Sequence, residues 1–214
     1  MSRITRVMPQ DNLLPPLELP DLSNLPAQSE WMALRRGLAG GGSTDHTAYT
    51  LQANCVRLLD AALRDYELGR YEIAQFHARP PSTFGLTSLI TASSHFESCI
   101  WHLERFIKHA RALRALKSAE IELKQIIPKN LSIFEPPVES RITALRHMVS
   151  HLERAAQKGE LPPGTSIMPM CREHGFTLSQ YVIGWDELVQ WLRDAHECVS
   201  NIAKFVPSAT RPGT

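Results

Sequence analysis

The sequence predicts an all-α fold, a bundle of about four to six helices with a small β-hairpin before the last one. Three observations carry this expectation. Apolar residues recur at helical spacing over four long stretches, proline and glycine punctuate those stretches where helices would end, and two short, partly β-branched runs fall together late in the chain. At 214 residues, 43% hydrophobic and 21% charged, the chain has the size and composition for one core plus tails.

From Pro9 to Pro26 leucine alternates with proline, which blocks helix and sheet ladders alike and predicts an extended arm. Its leucines, Leu13, Leu14, Leu17 and Leu19, form a sizeable apolar surface able to lie in a groove of this domain or of a partner. A short helix follows, with Ser29 as N-cap and Trp31, Leu34 and Leu38 on one side, and Gly40-Gly41-Gly42-Ser43 ends it as a hinge. The first long helix begins near Thr47, carries Leu51, Cys55, Leu59, Ala62 and Tyr66 on one face, and is expected to close at Gly69. A second short helix over Tyr71, Ala74 and Phe76 then stops at Pro80-Pro81.

The strongest periodicity comes next. Leu89, Phe96, Leu103 and Ala110 repeat every seventh residue, with Ala92, Cys99, Phe106 and Leu113 as the second row of a seam, so a helix from about Leu86 to Lys117 forms the spine. A weaker piece runs from Ala119 to Ile127. Pro137 suits the first turn of the helix after it, whose buried stripe is Val138, Ile142, Leu145, Val149, Leu152 and Ala156, with Gly159 and Pro162-Pro163 ending it. Ser166 to Met170 and Leu178 to Ile183, separated by Arg172-Glu173-His174-Gly175, suit a hairpin whose first strand Pro169 weakens. The last helix starts at Asp186 as N-cap and turns Leu188, Trp191, Leu192, Ala195, Val199, Ile202 and Phe205 inward. The chain thus divides into an arm over 1–46, a helical domain over 47–206 and a tail over 207–214.

Charge and cysteine usage exclude several classes. With 23 basic against 22 acidic residues, a net charge of +1 gives no broad attraction to duplex nucleic acid, so any RNA contact is local. Cys55, Cys99, Cys171 and Cys198 are too dispersed for a Cys-x-x-Cys site and read as free buried thiols. No stretch has the apolar length of a membrane span, and the first residues lack the apolar core of a signal peptide, so a cytoplasmic location without membrane contact is expected. No phosphate-binding glycine loop, nucleophile elbow or dinucleotide fingerprint is present.

Chemistry concentrates in the Val138 to Lys158 helix, where Arg146-His147-Met148-Val149-Ser150-His151 places a cation and two imidazoles in an ordinary amphipathic pattern. Five residues at about 100° each set Arg146 and His151 roughly 140° apart around the helix. His147 and His151 share a face, with Arg154 close in line. Two histidines four apart also suit a metal clamp, but the glutamate of a His-Glu-x-x-His site and a nearby third ligand are missing, so no metal is expected. The plainer alternative is a solvated helix face or interface. A second series, His95, His102 and His109, lies along one edge of the spine helix, where Glu97 or Glu104 could tune imidazole charge. His95 and His102, with Ser150 and Arg154, are second-tier candidates for substrate contact. Trp101, Trp185 and Trp191 read as core.

An arginine, a polar residue directly after it, and a histidine beyond four intervening positions resembles the R-x4-6-H motif of HEPN domains, in which the residue after the arginine is usually Asn, Asp or His. His147 matches. The resemblance covers about Thr47 to Val206. It implies a symmetric dimer whose motif helices face each other and cut single-stranded RNA without a metal or other cofactor. In that reading His151, with His147, moves protons around the ribose 2′-hydroxyl and the leaving oxygen, and Arg146 holds the scissile phosphate. The setting implied is a toxin–antitoxin or antiviral defence system with an antitoxin or other partner protein. A catalytically silent HEPN-like module for dimerisation or partner docking is the alternative.

Overall fold

Phe96 sits at the centre of the protein, and the elements around it explain the architecture. The computed structural model describes residues 16–78, 85–159, 169–178 and 181–208, with the side chains of 39, 85 and 148–156 outside the description. Among these residues the chain forms α1 (Ser29–Ala39), α2 (His46–Ala78), α3 (Gly85–Ala115), α4 (Ile121–Ile126), α5 (Pro136–Gln157) and α6 (Trp185–Lys204). A three-stranded antiparallel sheet, β1 (Met170–Arg172), β2 (Gly175–Leu178) and β3 (Tyr181–Gly184), precedes α6. The expected helical bundle is therefore present.

The α2/α3 pair forms the backbone of the bundle. Phe96, fully buried on α3, meets Tyr66 of α2 edge to face at 5.9 Å, Phe176 of β2 at 6.2 Å and Trp185 of α6 at 4.7 Å between ring centroids. The expected break at Gly69 does not occur: α2 runs through it to Ala78 as one helix of 33 residues. The reason lies across the seam, because a Cβ at Gly69 would stand 2.8 Å from the Phe96 ring. Gly69 is thus a close-approach residue, and the tertiary contact offsets its poor helix propensity.

The hairpin gains a strand. Residues 166–168 of the expected first strand lie outside the described residues, and Gly175, assigned to the turn, instead opens β2 and pairs with both Arg172 and Gly184. Phe176 and Leu178 of β2 are fully buried, Cys171 of β1 comes within 3.6 Å of Ser93 on α3, and the Trp185 indole N–H donates to the Arg172 carbonyl at 2.8 Å. This sheet closes one end of the bundle. α6 begins one residue before the expected cap, with Gly184 in that place.

Residues before α2 lie against it. Leu19 and Leu22 are in the core, the Leu22 amide donates to Glu67 at 2.7 Å, and the Tyr66 hydroxyl donates to the Pro20 carbonyl at 3.0 Å. Leu13 and Leu14 lie outside the described residues. α1 is capped differently from the expectation: Gln28 occupies the N-cap, and the Gln28 and Ser29 amides donate to the Asp60 carboxylate of α2. Met32 is the buried residue of α1, while Trp31, Leu34 and Leu38 face outward. The glycine run is held at both ends of its backbone. Gly40 takes the left-handed C-cap conformation at φ 62°, and Gly42, at φ 90°, donates its amide to the Phe205 carbonyl.

All four cysteines are buried and free, and burial pushes the Cys171 and Cys198 thiols up to about 12. They act as small apolar residues rather than nucleophiles. Among the described residues no helix is long and apolar enough to cross a membrane.

Candidate functional site

α5 is anchored by its first half. Pro136 and Pro137 open it, Val138, Ile142 and Leu145 are buried, Arg111 of α3 pairs with Glu139, and Arg141 pairs through both guanidinium nitrogens with Glu187 of α6. These contacts fix the helix up to Leu145. Arg146 follows at the point where the seam between α3 and α5 opens into a cavity of about 360 Å³.

Its wall is built from one face of α3 and the middle of α5. Glu97, Ser98, Trp101 and His102 supply the polar and aromatic part, Ile100 and Leu145 the apolar part, and Arg146 the cation. The Arg146 Nε is buried and, among the described residues, has no hydrogen-bond partner. An Nε–H in this state is available to an anionic acceptor, and the planar fork of arginine suits a phosphate. Burial holds the Glu97 carboxyl above the usual glutamate range.

His102 is not a bare edge residue. Its Nδ1 lies 3.0 Å from Oδ2 of Asp65 on α2, and the two side chains are 17% and 9% exposed. The other Asp65 oxygen stands 3.9 Å from Nε of the exposed Arg64. His102 thus links the cavity to a nearly buried carboxylate on the neighbouring helix.

The remaining expected residues divide. His147 is exposed, next to Arg146 on the helix. The side chains of His151, Ser150 and Arg154 lie outside the described residues, although α5 itself runs to Gln157. His95 is half-buried and does not line the cavity, and the His109 ring bonds the Arg105 carbonyl at 2.8 Å. Trp185 and Trp191 are core, as expected, but Trp101 is 39% exposed, with the Arg105 guanidinium 5.4 Å from its ring centroid. Its place on the cavity side of α3, off the Phe96 seam, accounts for the difference. Among the described residues no group of three or more His, Cys, Asp or Glu is placed to hold a metal ion.

Asp65 was missed by sequence reasoning, yet a signal exists. It stands seven residues after Leu58 and three after Ala62, both buried, so a carboxylate occupies a position of the apolar stripe. A charge there needs a partner, and His102 provides it. No family model matches this chain, and no curated protein or solved structure matches it.

Proposed function

We propose that this chain is a metal-independent endoribonuclease of HEPN type, cutting single-stranded RNA through the ribose 2′-hydroxyl in a toxin–antitoxin or phage-defence setting in the cytoplasm. The observation that carries the reading is Arg146. It is the arginine of the R-x4-H pattern, and it enters a polar, aromatic-walled cavity with its Nε unpartnered. Arg146 holds the scissile phosphate, His151 gives a proton to the leaving 5′-oxygen, and His147 supports the same face of α5. The 2′-oxygen attacks phosphorus, so the products carry 2′,3′-cyclic phosphate and 5′-hydroxyl ends. Two chains pair with their α5 helices near a twofold axis, which brings both motifs to one cleft.

Purified protein incubated with total RNA, followed by mapping of the ends, tests this. Cleavage is expected to persist in EDTA and leave cyclic-phosphate ends. His151→Ala is expected to abolish it with helicity and dimerisation intact, and Arg146→Lys to fail as well because the fork is lost. Arrest by EDTA, or normal cutting by His151→Ala, overturns the reading. One observation favours the silent-module alternative: Trp31, Leu34 and Leu38 of α1 are exposed together on a short helix, as a partner-docking face would be. A wild type that is harmless on expression and inert on RNA, yet dimeric, supports that module.

A further inference from the structure

An imidazole fixed by a buried carboxylate and opening onto a cavity that Arg146 also lines is an arrangement for proton transfer, and the imidazole and carboxylate lie outside both the R-x4-H pattern and α5. We infer that His102 is the general base of this site and that Asp65 is its positioning residue. The inference rests on the ribonuclease reading and divides its proton transfers differently: His102, rather than a histidine of α5, accepts the 2′-hydroxyl proton while His151 serves the leaving oxygen.

The geometry sets each role. Asp65 engages Nδ1 at 3.0 Å, which leaves Nε2 as the ring nitrogen for a substrate. A carboxylate on Nδ1 selects the tautomer with its proton there, leaving the Nε2 lone pair to accept a proton. Asp65 sits on α2 and His102 on α3, two long helices that approach closely where Gly69 meets the Phe96 ring, so the imidazole is held by rigid elements rather than by a loop. Arg146 approaches the same cavity from α5. The charged and titratable groups around the pair are Arg64 beside Asp65 on α2, Glu97 and the buried Cys99 on α3, and Arg146 on α5.

The step balances within the chain and its substrate. His102 Nε2 takes the proton from the ribose 2′-hydroxyl, the 2′-oxygen forms a bond to phosphorus, the phosphorus to 5′-oxygen bond breaks, and His151 donates a proton to that oxygen. Asp65 keeps the ring oriented and faces the imidazolium that forms, as carboxylates do in such dyads.

The test uses the full-length protein, an RNA oligonucleotide it cuts, and the same RNA with sulfur in place of the bridging 5′-oxygen, whose thiolate leaves without needing a proton. His102→Gln is expected to lower the cleavage rate on both RNAs by on the order of 100-fold or more. His151→Ala is expected to recover towards the wild-type rate on the sulfur substrate only. Asp65→Asn is expected to lower the maximal rate at unchanged KM, and the double variant to be no slower than His102→Gln alone, since the two residues act as a unit. Thermal melting of the single variants checks that each folds, and Asp65→Asn carries the test should His102→Gln melt early. Wild-type rates from His102→Gln, its rescue by sulfur, or additive losses in the double variant overturn the inference while the ribonuclease reading stands. A wild type that leaves both RNAs intact overturns the two together.

Discussion

The two sides of α3 are built to opposite rules. Towards α2 the helix presents Phe96 and Cys99, both fully buried, and the partner helix supplies a glycine where the Phe96 ring needs space. Towards α5 it presents Glu97, Ser98 and Trp101 around an open cavity, and the partner helix supplies an arginine with an unsatisfied nitrogen. The Phe96 contact is dominated by dispersion and apolar burial, while the second seam gives these up for polar groups, among them an Arg146 Nε with no partner among the described residues. Residues that spend stability in this way are where chemistry is to be sought.

Gly69→Leu breaks the comparison hardest. Its Cβ would meet the Phe96 ring at 2.8 Å, and because that ring is locked by Tyr66, Phe176 and Trp185 it has no room to yield. Overpacking of this kind costs about 1–3 kcal/mol, occasionally more, and denaturant titration is expected to show a loss at or above the top of that range. A loss under about 0.5 kcal/mol would show the seam to be loose.

Arg146→Met is the counterpart on the other side. It keeps the apolar stem and removes a buried nitrogen that no described residue bonds, so stability is expected to stay level or to rise by up to about 1 kcal/mol while RNA cleavage is lost. A cooperative transition shifted far down would make Arg146 a structural residue of the α3/α5 seam.

The smallest expected effect sharpens the picture upstream of α2. Glu120 is partly desolvated, which raises its pKa, but hydrogen bonds from the Ser43 hydroxyl at 2.7 Å, the Thr44 amide at 2.8 Å and the Thr44 hydroxyl outweigh this and hold it below the usual glutamate value of 4.5. A folded-state pKa below the unfolded one contributes stability above the unfolded value, and that contribution is lost as pH falls through the folded one. Glu120→Gln is therefore expected to melt slightly earlier than wild type at neutral pH, with the gap closing in acid. A gap that stays constant with pH would remove the charged form of Glu120 from the account.

The heptad rows of α3, the Val138, Ile142 and Leu145 part of the α5 stripe and the inward face of α6 were legible because burial imposes a period on residues of one helix, and that period survives in the sequence; Val149, Leu152 and Ala156 of the stripe lie outside the described side chains. The Arg146 to His151 pattern stands out in the sequence because it lies within six consecutive residues, and of its two ends the structure describes the side chain of Arg146 alone. Gly69 was misjudged because a glycine that ends a helix and one that admits a neighbouring ring look alike until the neighbour is in place. Trp101 was misjudged because an aromatic beside an apolar seam turns inward or outward according to what packs on the next face. The Asp65 to His102 pair joins residues 37 positions apart on different helices. Sequence alone set which faces of the helices are apolar; only the packing of α2 and α5 against α3 decided which seam closed and which remained open to a ligand, because a close approach depends on both surfaces at once.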